Sequence, residues 1–268
     1  MPPSEFSEFS YGYAVTENIV HGAFGQVVGA PIFPTLVQEG AQSGGYDVEI
    51  PLHPIPYYFQ FKIPQIMVKR SNYCPPGFSC PYYRMHLRTG TGSYQHQSLL
   101  DHARAGKRVF YIAPRFHTLD DFNQSYMSSR VVWDSVMIEP TAIGDLDDRH
   151  HHVAYLPLGG DWWVYSEPSR REARIDPESF VADVRRNIRS APRVRSRDAV
   201  FAAVVDDILE TAEKLSSTRE VGRKAVDLRP EVLRIRTSDL RPAQQAAFLA
   251  SFVLDCQLVI MGLQPDNG

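Results

Sequence analysis

Gly44-Gly45-Tyr46-Asp47-Val48-Glu49-Ile50 and, after a proline-punctuated turn, Tyr57-Tyr58-Phe59-Gln60-Phe61-Lys62 decide how the chain is read. Both stretches are short, rich in aromatic and β-branched residues, and bounded by Gly or Pro, which predicts two strands. Side chains alternate across a strand, so Asp47 and Glu49 share one face of the first, and Gln60 and Lys62 share one face of the second. Paired as a hairpin, the strands bring a carboxylate, an amide oxygen and a lysine onto one patch of an otherwise apolar sheet. Oxygen donors of this kind suit a hard divalent cation, and a lysine beside them suits a phosphodiester under attack.

Outward from this pair, Tyr11 to His21 reads as a helix capped by Ser10, with Ala14, Val15 and Ile19 as its buried stripe. Beyond it, Pro81 to Arg88 alternates enough for a third strand. Ser93 caps a helix through Ala105 with Leu99, Leu100 and Ala103 inward and Gly106 at its end, and Arg108 to Ala113 is a short apolar strand. The order is helix, strand, strand, strand, helix, strand. Thr118-Leu-Asp-Asp121 opens a further helix through Tyr126, and Val153 to Ser166, turning at Gly159-Gly160, reads as a hairpin.

From Ser169 the composition shifts. Arg170 to Arg197 is dense in arginine, and the rest reads as helix, with segments from Arg197 to about Leu215 and from about Pro242 to Met261. A boundary is therefore expected between residues 1–168 and 169–268, the second part being an arginine-rich link and a helical interaction domain.

A [Asp/Glu/Gln]-x-Lys pattern arises about once by chance in a chain of this composition, and Gln60-Phe61-Lys62 is one match. Its weight comes from lying on a predicted strand, after an Asp on the preceding strand, within the element order above. In these respects the first 115 or so residues resemble the PD-(D/E)xK nuclease superfamily, in particular its Mrr-like restriction-endonuclease branch, where the second motif is often Gln-x-Lys. The resemblance implies an α/β fold, a restriction-endonuclease-like αβββαβ core with a β decoration followed by the helical C-terminal domain. It implies Asp47 as a metal carboxylate, Gln60 as the second motif position and metal ligand, Lys62 as the motif lysine, and Glu17 on the first helix as completing the metal site. Tyr46 stands where the literal motif has Pro. The implied activity is Mg²⁺-dependent endonucleolytic hydrolysis of DNA, with Mn²⁺ as a substitute, in bacterial defence against foreign DNA. The alternative is a catalytically silent subunit that keeps the nuclease fold as a binding or assembly module.

The bulk numbers set bounds. At 268 residues and 43% hydrophobic the chain can bury a sizeable core, and a net charge of −3 excludes a global basic field. Three cysteines make no disulfide framework, and the polar, acidic start has no signal pattern, so a cytoplasmic setting is expected. The most apolar window, Ala243 to Leu263, carries Gln244, Gln245, Asp255 and Gln257, which argues for a core or partner-facing helix and against a membrane span. A homo-oligomer or a partner protein is expected at that helical domain. His150-His151-His152 is read as a solvated loop, since consecutive histidines cannot all face one ion. Cys74 and Cys80 are read as structural or incidental thiols. His96 and Gln97, opening the second helix, are further polar residues near the expected site.

Overall fold

The computed structural model describes residues 3–21, 55–70, 74–75, 78–87, 89, 95–147, 149–159, 162–165, 170–172, 178–180, 182–183, 186, 197–217, 234–235, 238, 240–254 and 257–261. Among these residues the chain is mixed α/β, with two sheets. Helix α1 is Glu8–His21; then come strands β1 Ile55–Phe61, β2 Gln65–Met67 and β3 Tyr82–Leu87. Helix α2, Gln95–Arg104, leads into β4, Arg108–Pro114, followed by α3 Leu119–Met127, β5 Ser135–Ile138 and α4 Pro140–Ile143. Strands β6 His151–Tyr155, β7 Trp162–Tyr165 and β8 Arg170–Glu172 precede helices α5 Arg197–Ser217 and α6 Pro242–Leu254 and a final strand β9, Gln257–Met261.

The first sheet has the order β5-β4-β1-β9, and only its β1–β4 pair is parallel. Parallel neighbours need a crossover, and α2 is the helix that enters β4. Alternation along β1 then sorts its side chains. Tyr57 and Phe59 pack with Tyr11, Ala14, Val15 and Ile19 of α1, while Tyr58 packs on the other face in the core that holds Leu99 of α2. A strand covered on both faces reads as a nearly unbroken apolar run, which is what β1 is. Gly12 lets α1 approach closely, because a Cβ there would stand 2.7 Å from Cδ2 of Phe61.

The second sheet, β2-β3-β6-β7-β8, is antiparallel throughout. Its inner face, Tyr83, Met85, Leu87, Val153, Tyr155, Trp162 and Val164, shares one core with Tyr58, Val109, Tyr111 and Leu99, and with Phe201, Val204 and Ile208 of α5 and Ala246, Leu249 and Ala250 of α6. Tyr155 donates to the Pro114 carbonyl at 2.9 Å, tying the second sheet to β4.

Several expectations hold at the level of elements. Thr118 caps α3, its hydroxyl accepting from the Asp121 backbone at 3.1 Å, and the β6–β7 hairpin forms. Others are corrected. The strand after Pro81 pairs with β2 and β6 in the second sheet, so it is no third strand beside β1. The helix expected through Met261 stops at Leu254, and residues 257–261 pair antiparallel with β1. β1 thus has β4 on one edge and β9 on the other, whereas the sequence reading pairs it with 46–50, a stretch outside the described residues. The division expected at 168/169 is crossed by the β7–β8 and β1–β9 pairings and by the shared core. His151 is buried in β6, not solvated in a loop, and its Nε2 lies 2.9 Å from the Asp147 carboxylate.

Candidate functional site

Gln60 and Lys62 lie on the face of β1 that α2 covers, at the carboxyl end of the strand. Pairing with β9 ends at Phe59 and pairing with β4 runs to Phe61, with the Lys62 backbone N–H still donating to Ile112 at 3.0 Å. Among the described residues, this strand end is therefore flanked on the β4 side alone. The carboxyl ends of parallel strands are where open α/β sheets usually build their ligand sites.

Three buried polar side chains meet there: Gln60 at 4% exposure, Lys62 at 6% and Gln95 at 5%. Lys62 Nζ donates to Gln95 Oε1 at 2.7 Å, Gln95 Nε2 donates to Gln60 Oε1 at 3.1 Å, and Gln60 Nε2 donates to the Phe61 carbonyl at 3.0 Å. The ammonium dictates this order. It can only donate, so it turns the oxygen of Gln95 toward itself; that leaves the Gln95 amide N–H to face Gln60, and only an oxygen can answer it. Gln95 is the first residue of α2, on the same face as Leu99 and His102.

A second pair lies alongside. Tyr111, the register partner of Gln60 on β4, has its hydroxyl 3.0 Å from His96 Nδ1, and His96 Nε2 lies 2.8 Å from the Gly144 carbonyl. A carbonyl only accepts, so Nε2 carries a proton, and in the neutral ring Nδ1 accepts from Tyr111. Farther along α2, His102 packs edge-on to the Tyr58 ring with centroids 4.8 Å apart. Burial holds its pKa down at about 4, with Lys107 adding to that and Asp207 opposing it.

The residues singled out from sequence fare differently. Gln60 and Lys62 come together, joined through Gln95. Asp47 and Glu49 lie outside the described residues. Glu17 stands on α1, across the sheet from Lys62, where its charge is the main cause raising the Tyr126 pKa. His96 is 2% exposed and committed to Tyr111 and Gly144, and Gln97 donates to Asp101 at 2.8 Å. Of the arginines near the core, Arg84 donates to Gln65 at 2.7 Å and Arg108 pairs with Asp183 at 3.3 Å.

No family model, curated protein or solved structure matches the chain. What the site can do therefore rests on its own donors. Gln60 Oε1 is a hard oxygen of the type Mg²⁺ takes, and an amide oxygen has two lone pairs, of which Gln95 uses one. The donor type fits a divalent cation. The carboxylate expected from the sequence, Asp47, lies outside the described residues, and among the described residues no group of three or more His, Cys, Asp or Glu side chains is placed to hold an ion.

Gln95 is the residue that sequence reasoning missed. It stands one position before His96, and its signal was its place at the start of the helix that enters β4, where the first turn of α2 meets the end of β1.

Proposed function

We propose that the chain is a metal-dependent nuclease hydrolysing DNA phosphodiester bonds, with Lys62 at the centre of its site. The observation that carries this reading is the buried Lys62–Gln95–Gln60 chain at the carboxyl end of a central strand whose parallel neighbour is reached through α2. Burying an ammonium is costly, and a fold that does so at a strand end, with hydrogen bonds ordering its partners, supports a working role for the charge. Lys62 would act as a compact point charge that orients the attacking water and offsets charge building on the phosphate. Gln95 holds Nζ in place and sets the direction of the Gln60 amide. Mg²⁺, or Mn²⁺ in its stead, would be held by Asp47 and Gln60 Oε1, and when bound it neutralises the phosphate and makes a water more acidic. Glu17, beside Tyr126, takes no part.

By its resemblance to Mrr-like enzymes, the proposed setting is bacterial defence against foreign DNA in the cytoplasm, with an oligomer or a partner protein providing control. No helix among the described residues is long and apolar enough to cross a membrane.

A second reading is favoured by one feature of the same site: Gln95 engages both motif residues, as a purely structural network would. In that case the chain is a silent nuclease-fold subunit. Incubating purified protein with plasmid DNA, linear DNA and an RNA competitor, with Mg²⁺, Mn²⁺ or chelator, separates the two. Cleavage of DNA that needs metal and survives RNA competition is the result expected of the nuclease; inertness with either metal on every substrate supports the silent subunit.

A further inference from the structure

The outer face of the second sheet is covered by no described helix. Met67, Tyr82 and Ala154 are buried there by the segment that carries Cys74, Phe78 and Cys80. Phe78 is the plug, 8% exposed and edge-on to Tyr82 at 5.7 Å and to Trp163 at 6.4 Å. The chain folds back on itself around that ring: Phe78 N–H donates to the Pro75 carbonyl at 3.1 Å, and Cys74 Sγ donates to the Phe78 carbonyl at 3.6 Å. The same turn sets both Cys74 and Cys80 against this one cluster, near enough that the Cys80 thiol acts on the Cys74 thiol. Both are free thiols, and both are half-buried.

We propose that Cys74 and Cys80 form a redox modification site, a dithiol that closes reversibly to an intramolecular disulfide on reaction with a small disulfide oxidant such as glutathione disulfide. The thiolate of one cysteine attacks a sulfur of the oxidant, breaking its S–S bond and releasing one glutathione thiolate. The thiolate of the other cysteine then attacks the protein sulfur of the mixed disulfide and releases the second glutathione. Two protein S–H bonds are lost and one S–S bond forms; the two electrons and two protons reside on two molecules of glutathione. Burial raises the Cys74 pKa, the neighbouring Cys80 thiol adds to this and Arg70 opposes it, so closure quickens as the solution is made mildly alkaline. Such pairs sense oxidant because they are reduced by default and need little movement to bridge. Once closed, the bond ties together the two ends of the segment that roofs the sheet. The site involves none of Gln60, Lys62 or Gln95, so it stands or falls independently of the nuclease reading.

The test uses the full wild-type chain, incubated with glutathione disulfide at neutral and mildly alkaline pH, alkylated, digested and mapped by mass. The expected product is a peptide linked between Cys74 and Cys80, two hydrogens lighter, forming faster at the higher pH and reversed by dithiothreitol. In Cys80→Ser, the glutathione adduct on Cys74 should persist. Full alkylation of both cysteines after oxidation, or a wild-type chain that stops at the glutathione adduct, overturns the proposal. So does equal closure in urea: the fold should raise the effective concentration of one thiol at the other by about tenfold or more over the unfolded chain.

Discussion

Among the described residues, Lys62 is joined to Gln60 through the side chain of Gln95, and that single amide fixes the direction of the two hydrogen bonds that link them. Gln95→Leu keeps roughly the volume but removes both the acceptor for Nζ and the donor to Gln60. By the usual cost of stranding buried polar groups, it should lower unfolding stability by about 1–3 kcal/mol, measurable by urea titration. If the site is the proposed one, DNA cleavage should drop by about 10–100-fold, the range for a residue that orients a working group. His102 gives a prediction of its own. Its folded pKa of about 4 lies below the ordinary 6.5 because the neutral ring is the form that burial favours. The unfolded chain therefore binds the proton more readily, so the stability His102 contributes is fully present above pH 6.5 and is lost as pH falls toward 4. The loss is on the order of 3 kcal/mol across that window. Urea midpoints measured through it should fall, and His102→Phe, which keeps a ring against Tyr58, should flatten the decline.

Between α1 and β1 the contact is set by Gly12. A methyl group there meets the Phe61 ring inside contact distance, and Phe61 sits between Gln60 and Lys62. Gly12→Ala should destabilise by about 1–3 kcal/mol, in the range for overpacked cores, despite the better helix propensity of alanine; thermal unfolding reads the sign. The elements most legible in the sequence were those with local punctuation: the Thr118 cap, the Gly159 turn, and the apolar runs of β1 and β4. Gln60-x-Lys62 was legible too, since strand alternation alone puts both residues on one face. The C-terminal strand was not. Leu258, Val259 and Ile260 continue an apolar stretch out of α6, and a short apolar run looks the same as helix or strand until its partner is known. The β1–β9 pairing joins residues some two hundred positions apart, so no local signal announces it. Nor did periodicity mark Gln95, whose role appears only when α2 is laid across β1.

At the scale of the whole molecule, β1 is the pivot. It has α1 on one face and the large core on the other, β4 and β9 on its edges, and the Lys62 chain at its end. Helices α5 and α6 complete the core around Tyr58, Tyr111 and Leu99, so a fragment of residues 1–168 would expose that apolar face and the edge of β1 that β9 covers. Such a fragment should aggregate or unfold, and the full chain should unfold in one transition by both circular dichroism and fluorescence. A soluble, folded fragment 1–168 would show two independent units instead. Whether the end of β1 is a hydrolytic site is decided by cleavage of supercoiled plasmid with Mg²⁺ or Mn²⁺, comparing wild type with Lys62→Ala and Asp47→Ala at matched folding by circular dichroism. Metal-dependent nicking and linearisation by wild type, lost in both variants, is the expected result. Undiminished cleavage by folded Lys62→Ala would contradict it.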